Sequence, residues 1–255
     1  MNMKVLVYGT YGLLGKMFLK LSHNLKADIV IGKADITDIL SVEYDLKCNP
    51  DIIINFAGIK DCGYKFYPKL FDTNIIGVLN LLHVSDLNIP IICMGSIAAL
   101  TPEYSMYAMS KKHLEDIAIF HKRLKIIRIP GVFSFNRKIG VVYKFLMKCL
   151  QGENIKINSD LKYWNCILDE TLMFTLIERL ETIINYQYQY FNIGYLNTYT
   201  LSDIAKFIKD KLNSKSNIEI EKEPKPFSMH SIDGVYLRPY VKLDYDITKY
   251  INFLK

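Results

Sequence analysis

The pattern of apolar and polar positions alternates between two kinds of segment in the first half of the chain. Short aliphatic runs predict buried strands, and longer stretches with apolar residues three and four apart predict helices. Strands are predicted at residues 4–8, 29–31, 51–55, 89–94 and 124–129. Helices are predicted between them at residues 12–21, 36–45, 70–85 and 104–121. Apolar strands that alternate with helices are typical of a parallel sheet covered on both faces, which predicts a doubly wound α/β fold.

The pattern becomes less regular after Pro130. Helices are predicted at residues 141–150, 170–184, 201–212 and 247–254, and one strand is predicted at residues 190–193. We interpret residues 1–130 as the main α/β domain. Residues 131–255 are expected to complete the sheet and to form a small ligand-binding lobe over its carboxyl edge, without being an independent domain.

A glycine-rich turn follows the first predicted strand and precedes the first predicted helix. Its glycines have separate mechanical roles: a tight turn, close approach of the backbone to a diphosphate, and close packing of helix on strand. This order of strand, glycines and helix predicts dinucleotide binding. The residues of the turn are Gly9, Thr10, Tyr11, Gly12, Leu13, Leu14 and Gly15.

A second candidate site combines a tyrosine, a lysine and a serine. Tyr107 and Lys111 are four residues apart and therefore share one face of a predicted helix, and Ser96 follows the strand before it. A lysine ammonium near a phenol favours the phenolate, so the phenol can exchange a proton nearer neutral pH. The serine hydroxyl can hold a carbonyl oxygen. These residues predict a proton-transfer site, although a tyrosine and a lysine at this spacing also occur by chance on many helices.

Composition and charge narrow the class of protein. The chain has 255 residues, of which 50% are hydrophobic and 23% charged, which is typical of a globular protein with a substantial core. The net charge of +6 comes from scattered residues and does not favour a nucleic-acid partner. The five cysteines include no Cys-x-x-Cys pair or zinc-ligand spacing, and no apolar run is as long as a membrane span. We expect a cytoplasmic protein that binds no metal and no membrane.

Together these motifs resemble the extended short-chain dehydrogenase/reductase superfamily, whose nucleotide-binding domain has the Rossmann fold. The residues that carry the resemblance are Gly9-x-x-Gly12-x-x-Gly15, Asn55-Phe56-Ala57-Gly58, Ser96 and Tyr107-x-x-x-Lys111. The sequence is also similar to the dTDP-4-dehydrorhamnose reductase group of nucleotide-sugar enzymes. That similarity rests on Asp35-Ile36-Thr37-Asp38, Asn49-Pro50-Asp51, Phe191-Asn192-Ile193-Gly194, and Leu237-Arg238-Pro239 followed by Leu243-Asp244.

The resemblance implies reduction of the 4-keto group of a dTDP- or UDP-linked 4-keto-6-deoxy sugar, as in rhamnose biosynthesis. Tyr107 would donate the proton, Lys111 would bind the cofactor ribose and tune Tyr107, and Ser96 would orient the carbonyl. Asn74 matches a position that supports the active site, although a role as a helix-surface residue or a cap is an equal alternative. The implied cofactor contacts are the glycine turn, Lys33, Asp35, Ile36, Phe56, Ala57, Gly58, Tyr107 and Lys111.

The choice between NADP and NAD depends on the end of the second strand, where a basic residue accepts the NADP phosphate and an acidic one favours the NAD ribose. Lys33 stands there, so we favour NADP(H), with NAD(H) as the alternative. For the substrate, Ser96 and Arg238 are candidates, Arg238 because its planar guanidinium suits diphosphate oxygens, and Asn165 is a weaker candidate.

The sequence departs from the family pattern after Ser96. Ile97-Ala98-Ala99 replaces the usual polar and aromatic residues, and Tyr107 follows Ser96 by only eleven positions, so the sugar-binding loop is short. Ala98 stands where epimerising relatives have a cysteine, and an epimerase step would need another group, such as Cys62 or Cys93. An NAD-dependent epimerase, a bifunctional epimerase and reductase, or a non-catalytic dinucleotide-binding regulatory subunit therefore remain alternatives. The resemblance also implies a homodimer.

Overall fold

The computed structural model describes residues 3–60 and 67–254 of the chain. The strands are β1 Met3–Tyr8, β2 Ala27–Ile31, β3 Ile52–Asn55, β4 Ile91–Met94, β5 Leu124–Arg128, β6 Gly131–Phe133, β7 Ile155–Asn158, β8 Tyr163–Trp164, β9 Cys166–Leu168, β10 Tyr190–Ile193, β11 Ile218–Lys222, β12 Lys225–Pro226 and β13 Val235–Leu237. The helices are α1 Leu13–Leu21, α2 Ile39–Leu46, α3 Pro68–Phe71, α4 Gly77–Val84, α5 Met106–Phe120, α6 Val141–Gln151, α7 Asp169–Glu178, α8 Leu180–Asn185, α9 Leu201–Leu212 and α10 Leu243–Leu254. Within this part of the chain, no helix combines the length and apolar character that crossing a membrane requires.

The chain divides into two compact units. Residues up to 129 and residues 176–192 form the first, and residues 130–175 and those from 193 onward form the second. In the first unit the strands lie in the order β10-β5-β4-β3-β1-β2, and every neighbouring pair is parallel. The order reverses between β1 and β3, and ligands of open parallel sheets bind at the carboxyl ends of strands at such a switch point.

The central strands are buried on both faces, as expected of a sheet between helical layers. On one face, Leu6 and Ile53 pack with residues of α2, α4 and α5 in a single core cluster. Val5, Val7 and Ile54 alternate with them along the strands and are equally inaccessible on the opposite face. The predicted doubly wound, Rossmann-type α/β fold is therefore confirmed.

The region predicted as one helix over residues 70–85 has a more complex structure. A turn of π-helix, Asp72–Ile76, separates α3 from α4, and Asn74 lies inside it with its side chain buried. Turns of π-helix inside α-helices often occur at functional sites because they redirect one side chain. The helix predicted over residues 170–184 is also divided, since Arg179 leaves the helical conformation between α7 and α8.

The second unit contains helices and short paired strands. The strand pairs β6–β9, β7–β11 and β8–β12 are all parallel. Helix α6 packs against α9, and α9 also contacts α10. The Asp246 carboxylate of α10 accepts hydrogen bonds from the hydroxyls of Thr171 and Tyr195, which ties the end of the chain into this unit.

Candidate active site

The turn between β1 and α1 is packed tightly at two of its three glycines. Gly9 has a φ of +71°, and a Cβ there would lie 2.2 Å from the backbone nitrogen of Ala57. A Cβ on Gly15 would lie 2.3 Å from the carbonyl oxygen of Gly9. The Gly12 N–H donates to that carbonyl oxygen at 3.1 Å. The turn is therefore closed against both the segment after β3 and the first turn of α1.

Gly12 is less tightly packed, because among the described residues a Cβ built there would meet a single protein atom. The nearest atom to a Cβ built there is the Gly9 carbonyl oxygen at 3.3 Å, and Gly12 is exposed at the N-terminus of α1. No side chain caps the helix there. Free N–H groups at a helix N-terminus bind anions, so this bare backbone fits the diphosphate of a dinucleotide. Among the other predicted residues of the turn, Thr10 is buried and Tyr11 is 88% exposed. Leu13 and Leu14 are half-buried.

We expect Gly12→Ala to fold but to bind a dinucleotide weakly. The added methyl group meets one protein atom, the Gly9 carbonyl oxygen at 3.3 Å, so a small shift accommodates it and the free energy of unfolding should change by less than ~1 kcal/mol. The same methyl occupies the space through which a diphosphate approaches the backbone, and NADPH affinity should fall by ~10-fold or more. Urea unfolding and titration calorimetry with NADPH measure the two effects. Gly9→Ala is the contrast, because its methyl clashes with Ala57 and should destabilise the protein. An equal loss of stability in Gly12→Ala and Gly9→Ala would contradict the assignment of Gly12 to diphosphate binding.

The segment after β2 holds three of the predicted cofactor residues. Lys33 is exposed. The Asp35 carboxylate accepts hydrogen bonds from the N–H and hydroxyl of Thr37 at 3.0 and 2.8 Å, and these bonds lower its pKa. Ile36 is only 2% exposed, and its side chain packs where a Cβ on Gly77 would lie. Its side chain thus belongs to the core, and a contact with an adenine stays a prediction.

The segment after β3 is held by two asparagines. The Asn55 side chain accepts from the Ala57 N–H at 2.9 Å, which fixes the turn through Phe56. The Asn74 side-chain oxygen accepts from the Ile59 N–H at 2.8 Å, and its amide nitrogen donates to the Ile59 carbonyl at 3.0 Å. The π-helical turn therefore brings Asn74 into this site, and the helix-surface alternative for this residue is wrong.

Lys111 lies at the centre of the site. A Cβ added to the exposed Gly58 would lie 3.2 Å from the Asn74 side-chain oxygen and 3.8 Å from the Lys111 ammonium. The ammonium donates to the carbonyl oxygen of Met94, at the end of β4, at 2.7 Å. It also lies 5.8 Å from the centre of the Tyr107 ring. The glycine turn, the segment after β3 and the Tyr107–Lys111 pair therefore meet at one edge of the sheet.

Ser96 lies two residues after the end of β4 and is largely buried. Its hydroxyl accepts from the Ala98 N–H at 3.1 Å and caps a short 3-10 turn, Ile97–Leu100. A second such turn, Pro102–Tyr104, follows, and both pack against α5. The short segment between Ser96 and Tyr107 is thus regular structure that rests on the helix carrying Tyr107 and Lys111.

Sequence reasoning missed Ser110, which lies between the two predicted catalytic positions of α5. Ser110 is fully buried, donates to the Tyr107 carbonyl at 2.8 Å, and accepts from the Asn74 amide at 3.0 Å. It therefore joins α5 to the π-helical turn. Its position in the sequence could have identified Ser110, because residues three apart on a helix are neighbours and Ser110 follows Tyr107 by three positions.

Burial changes the acidity of Lys111 and of the neighbouring Cys93. It lowers the pKa of the Lys111 ammonium to about 8, an effect that the neighbouring Cys93 opposes. Burial raises the pKa of the Cys93 thiol to about 12, although Lys111 and Asn55 favour its thiolate. Lys111 therefore remains largely protonated at neutral pH, and Cys93 remains a thiol.

The depressed pKa predicts a pH-dependent effect of Lys111→Met on stability. The pKa is about 8 in the folded protein and about 10.4 in an unfolded chain. Between these values the unfolded chain binds more protons, so rising pH should stabilise the wild type relative to the variant. Urea unfolding at several pH values across this interval measures the difference. Lys112→Met, at the more exposed neighbouring lysine, is the control. A pH-independent difference would show that burial does not perturb Lys111.

The predicted substrate residues outside this edge lie in the second unit. Arg238 is exposed and lines a small pocket with Tyr195, Asn197 and Lys242. The side chain of Asn165 is only 5% exposed, and its amide donates to the Phe227 carbonyl at 2.6 Å. Its oxygen accepts from the Cys166 N–H at 2.7 Å, so this side chain already has structural partners. Cys62, the other candidate for an epimerase step, lies outside the described residues.

Comparison with solved structures shows that this chain shares its fold with nucleotide-sugar reductases, epimerases and dehydratases. The structural resemblance expected from the motifs is confirmed over almost the whole chain. No protein-family model matches the sequence, and no curated protein matches it.

Three similar structures illustrate the range of this fold. The dTDP-4-dehydrorhamnose reductase of Bacillus anthracis, in complex with NADP, has a TM-score of 0.78 and 18% identity, over 99% of this chain and 98% of that one. The UDP-glucose 4-epimerase of Thermotoga maritima, with UDP-glucose, has a TM-score of 0.74 and 20% identity, over 99% and 98%. The dTDP-glucose 4,6-dehydratase of Bacillus anthracis, with NAD, has a TM-score of 0.74 and 15% identity, over 99% and 96%.

Proposed function

We propose that the protein is an NAD(P)H-dependent reductase acting on the 4-keto group of a dTDP- or UDP-linked 4-keto-6-deoxy sugar. The observation that carries the proposal is the convergence of Tyr107 and buried Lys111 on the sheet edge that also holds the glycine turn. A binding module needs the glycine turn but has no use for a phenol beside a buried ammonium. This convergence therefore favours an enzyme over a regulatory subunit.

Each residue has a definite role in the proposed reaction. A bound nicotinamide supplies the hydride that adds to the carbonyl carbon. The Ser96 hydroxyl donates a hydrogen bond to the carbonyl oxygen and holds it in place. Tyr107 donates its phenolic proton to that oxygen as negative charge develops, which yields the alcohol and a phenolate. The Lys111 ammonium stabilises the phenolate and binds the cofactor ribose.

The proposed substrate class rests on two kinds of support. The reductase with the same fold acts on a dTDP-linked sugar, and the epimerase was determined with a UDP-linked sugar. In this chain, Arg238 and Lys242 line one pocket of the second unit, and two cations suit a diphosphate. For the cofactor, structures of this fold contain NADP or NAD, and exposed Lys33 leads us to favour NADPH.

The decisive experiment is a screen of 4-keto-6-deoxy sugars linked to dTDP, UDP and GDP, with NADPH and NADH. A loss of nicotinamide absorbance supports the proposal only if it requires the keto sugar. Product analysis accompanies this measurement. An epimerase would instead interconvert sugar nucleotides without net cofactor oxidation and retain its nicotinamide through purification. A regulatory subunit would bind cofactor without turnover.

The epimerase alternative receives no support from Cys93. A thiol whose pKa is raised to about 12 cannot act as a base near neutral pH, and Cys93 is fully enclosed. The proposal therefore assigns this chain reduction without an epimerisation step at Cys93.

We also propose that the protein forms a homodimer through α4 and α5. Exposed apolar side chains occur on both helices, including Leu79, Met109 and Phe120. Such residues are favoured at interfaces between helices of identical subunits. Sedimentation equilibrium tests this, and Phe120→Glu should shift the protein towards the monomer.

A further inference from the structure

Two carboxylates at the segment after β2, those of Asp45 and Asp35, are committed to bonds within the protein. The Asp45 carboxylate, near the end of α2, accepts from the backbone N–H groups of Lys33 and Ala34, each at 2.8 Å. The Asp35 carboxylate is bonded to Thr37, and Lys69 further favours its charged form. An acidic residue at this edge of the sheet would ordinarily hold the hydroxyls of an adenosine ribose. Here both acids have internal partners.

Lys33 is the cationic side chain of this segment. It is exposed, and no ion pair involves its ammonium within the described ranges 3–60 and 67–254. Its backbone, by contrast, is fixed. Two consecutive N–H groups that share one carboxylate oxygen set the orientation of both peptide planes, so the start of the Lys33 side chain has a defined direction.

The residues below the segment add to this rigidity. Gly32 lies on the ring of Tyr8, and a Cβ there would come within 2.4 Å of a ring carbon. Burial raises the pKa of Tyr8, and the adjacent Asp45 charge raises it further. The Tyr8 ring therefore supports the segment from below while Asp45 holds it from the side.

We propose that Asp45 is a positioning residue for recognition of the 2′-phosphate of an adenine dinucleotide. It holds the backbone at Lys33 and Ala34 so that the Lys33 ammonium meets the phosphate. This inference rests on the proposed function, because it requires a dinucleotide at the glycine turn. It adds a residue that contacts no cofactor and that sets cofactor preference through Lys33.

The test uses 2′,5′-ADP and 5′-AMP, which differ by the 2′-phosphate, in titration calorimetry with the full-length protein. The wild type should bind 2′,5′-ADP ~10-fold or more tightly than 5′-AMP, as expected for one charge-assisted phosphate contact. Asp45→Ala should lose most of this preference while 5′-AMP affinity changes less than ~2-fold. Asp45→Asn keeps an acceptor and should retain part of the preference. A general loss of structure would weaken both nucleotides equally, so the ratio isolates the positioning role.

Two further variants complete the design. Glu43→Gln removes one negative charge from an exposed position of α2 and should leave the ratio unchanged. Lys33→Gln should abolish the preference, and the double variant with Asp45→Ala should show no further loss, because both act on one contact.

Three results would overturn the inference. Tighter binding of 2′,5′-ADP by Asp45→Asn would mean that Asp45 repels the phosphate. Equal binding of both nucleotides by the wild type would mean that Lys33 does not recognise the phosphate, while leaving the reductase proposal intact. Failure to bind either nucleotide or NADH would overturn this inference together with the proposed function.

Discussion

Replacing Tyr107 with phenylalanine is expected to lower the turnover number for a 4-keto sugar nucleotide by ~10²–10⁴-fold, the usual contribution of a positioned general acid. The ring and its packing on α5 are kept, so the variant should fold and bind NADPH like the wild type. Only the phenolic proton is lost. Stopped-flow absorbance measures turnover, and titration calorimetry measures cofactor binding.

Tyr104→Phe is the matched control for this result. Tyr104 precedes Tyr107 by three residues, lies on the 3-10 turn Pro102–Tyr104 and is 43% exposed. Removing its hydroxyl should leave turnover within about 2-fold of the wild type, as for most exposed positions. Undiminished turnover in Tyr107→Phe would mean that another group supplies the proton, and the assigned general acid would be wrong.

The central sheet could be predicted from sequence because its signals are local. Each central strand is a short apolar run, and residues 4–8 and 190–193 were predicted close to the observed β1, Met3–Tyr8, and β10, Tyr190–Ile193. Helices such as α9, Leu201–Leu212, also carry their own periodicity and a capping box at Thr200. Burial on both faces then follows from parallel pairing.

The strands of the second unit were missed because each is short and most are only partly buried or exposed. In β7, Ile155 and Ile157 are buried and alternate with exposed residues, which is the pattern of a half-buried strand. Four residues of such alternation are too few to distinguish from a loop. Strands β8 and β12 contain two residues each, so they exist only through their pairing with one another.

The candidate site shows the same division between local and distant signals. The spacing of the glycines and of Tyr107 and Lys111 is visible in the sequence because each set lies on one element. The contacts of Asn74 with Ile59 and Ser110 depend on a π-helical turn and on tertiary packing. Asp45 reaches Lys33 across the segment between β2 and α2, and no sequence pattern marks that contact.

Breaking the buried ion pair between Glu115 and Arg128 is expected to have the largest effect on stability. The Arg128 guanidinium donates from Nε and Nη2 to the two carboxylate oxygens of Glu115, at 2.7 and 2.9 Å. Both side chains are only 4% exposed. The Tyr190 ring lies 4.6 Å from the guanidinium carbon, and its hydroxyl donates to the Glu115 carbonyl at 2.8 Å. If one partner is removed, the charge that remains therefore has little access to water.

Glu115→Ala and Arg128→Ala should each lower the free energy of unfolding by ~3–5 kcal/mol, because each breaks a buried ion pair by removing one partner. Urea unfolding measures this. Lys112→Ala on the same helix breaks the more exposed pair with Asp116, and it should cost less than ~1 kcal/mol.

The double variant Glu115→Leu with Arg128→Met distinguishes the cost of a stranded charge from the value of the pair itself. Both charges are removed and apolar volume is kept, so the double variant should be more stable than either alanine variant and can approach the wild type. Glu115 lies four residues after Lys111 on α5, and Arg128 lies at the end of β5. If the double variant is stable but turns over more slowly, the pair positions the catalytic helix on the sheet. If the double variant is instead destabilised by the sum of the effects of Glu115→Leu and Arg128→Met alone, the two charges are not coupled.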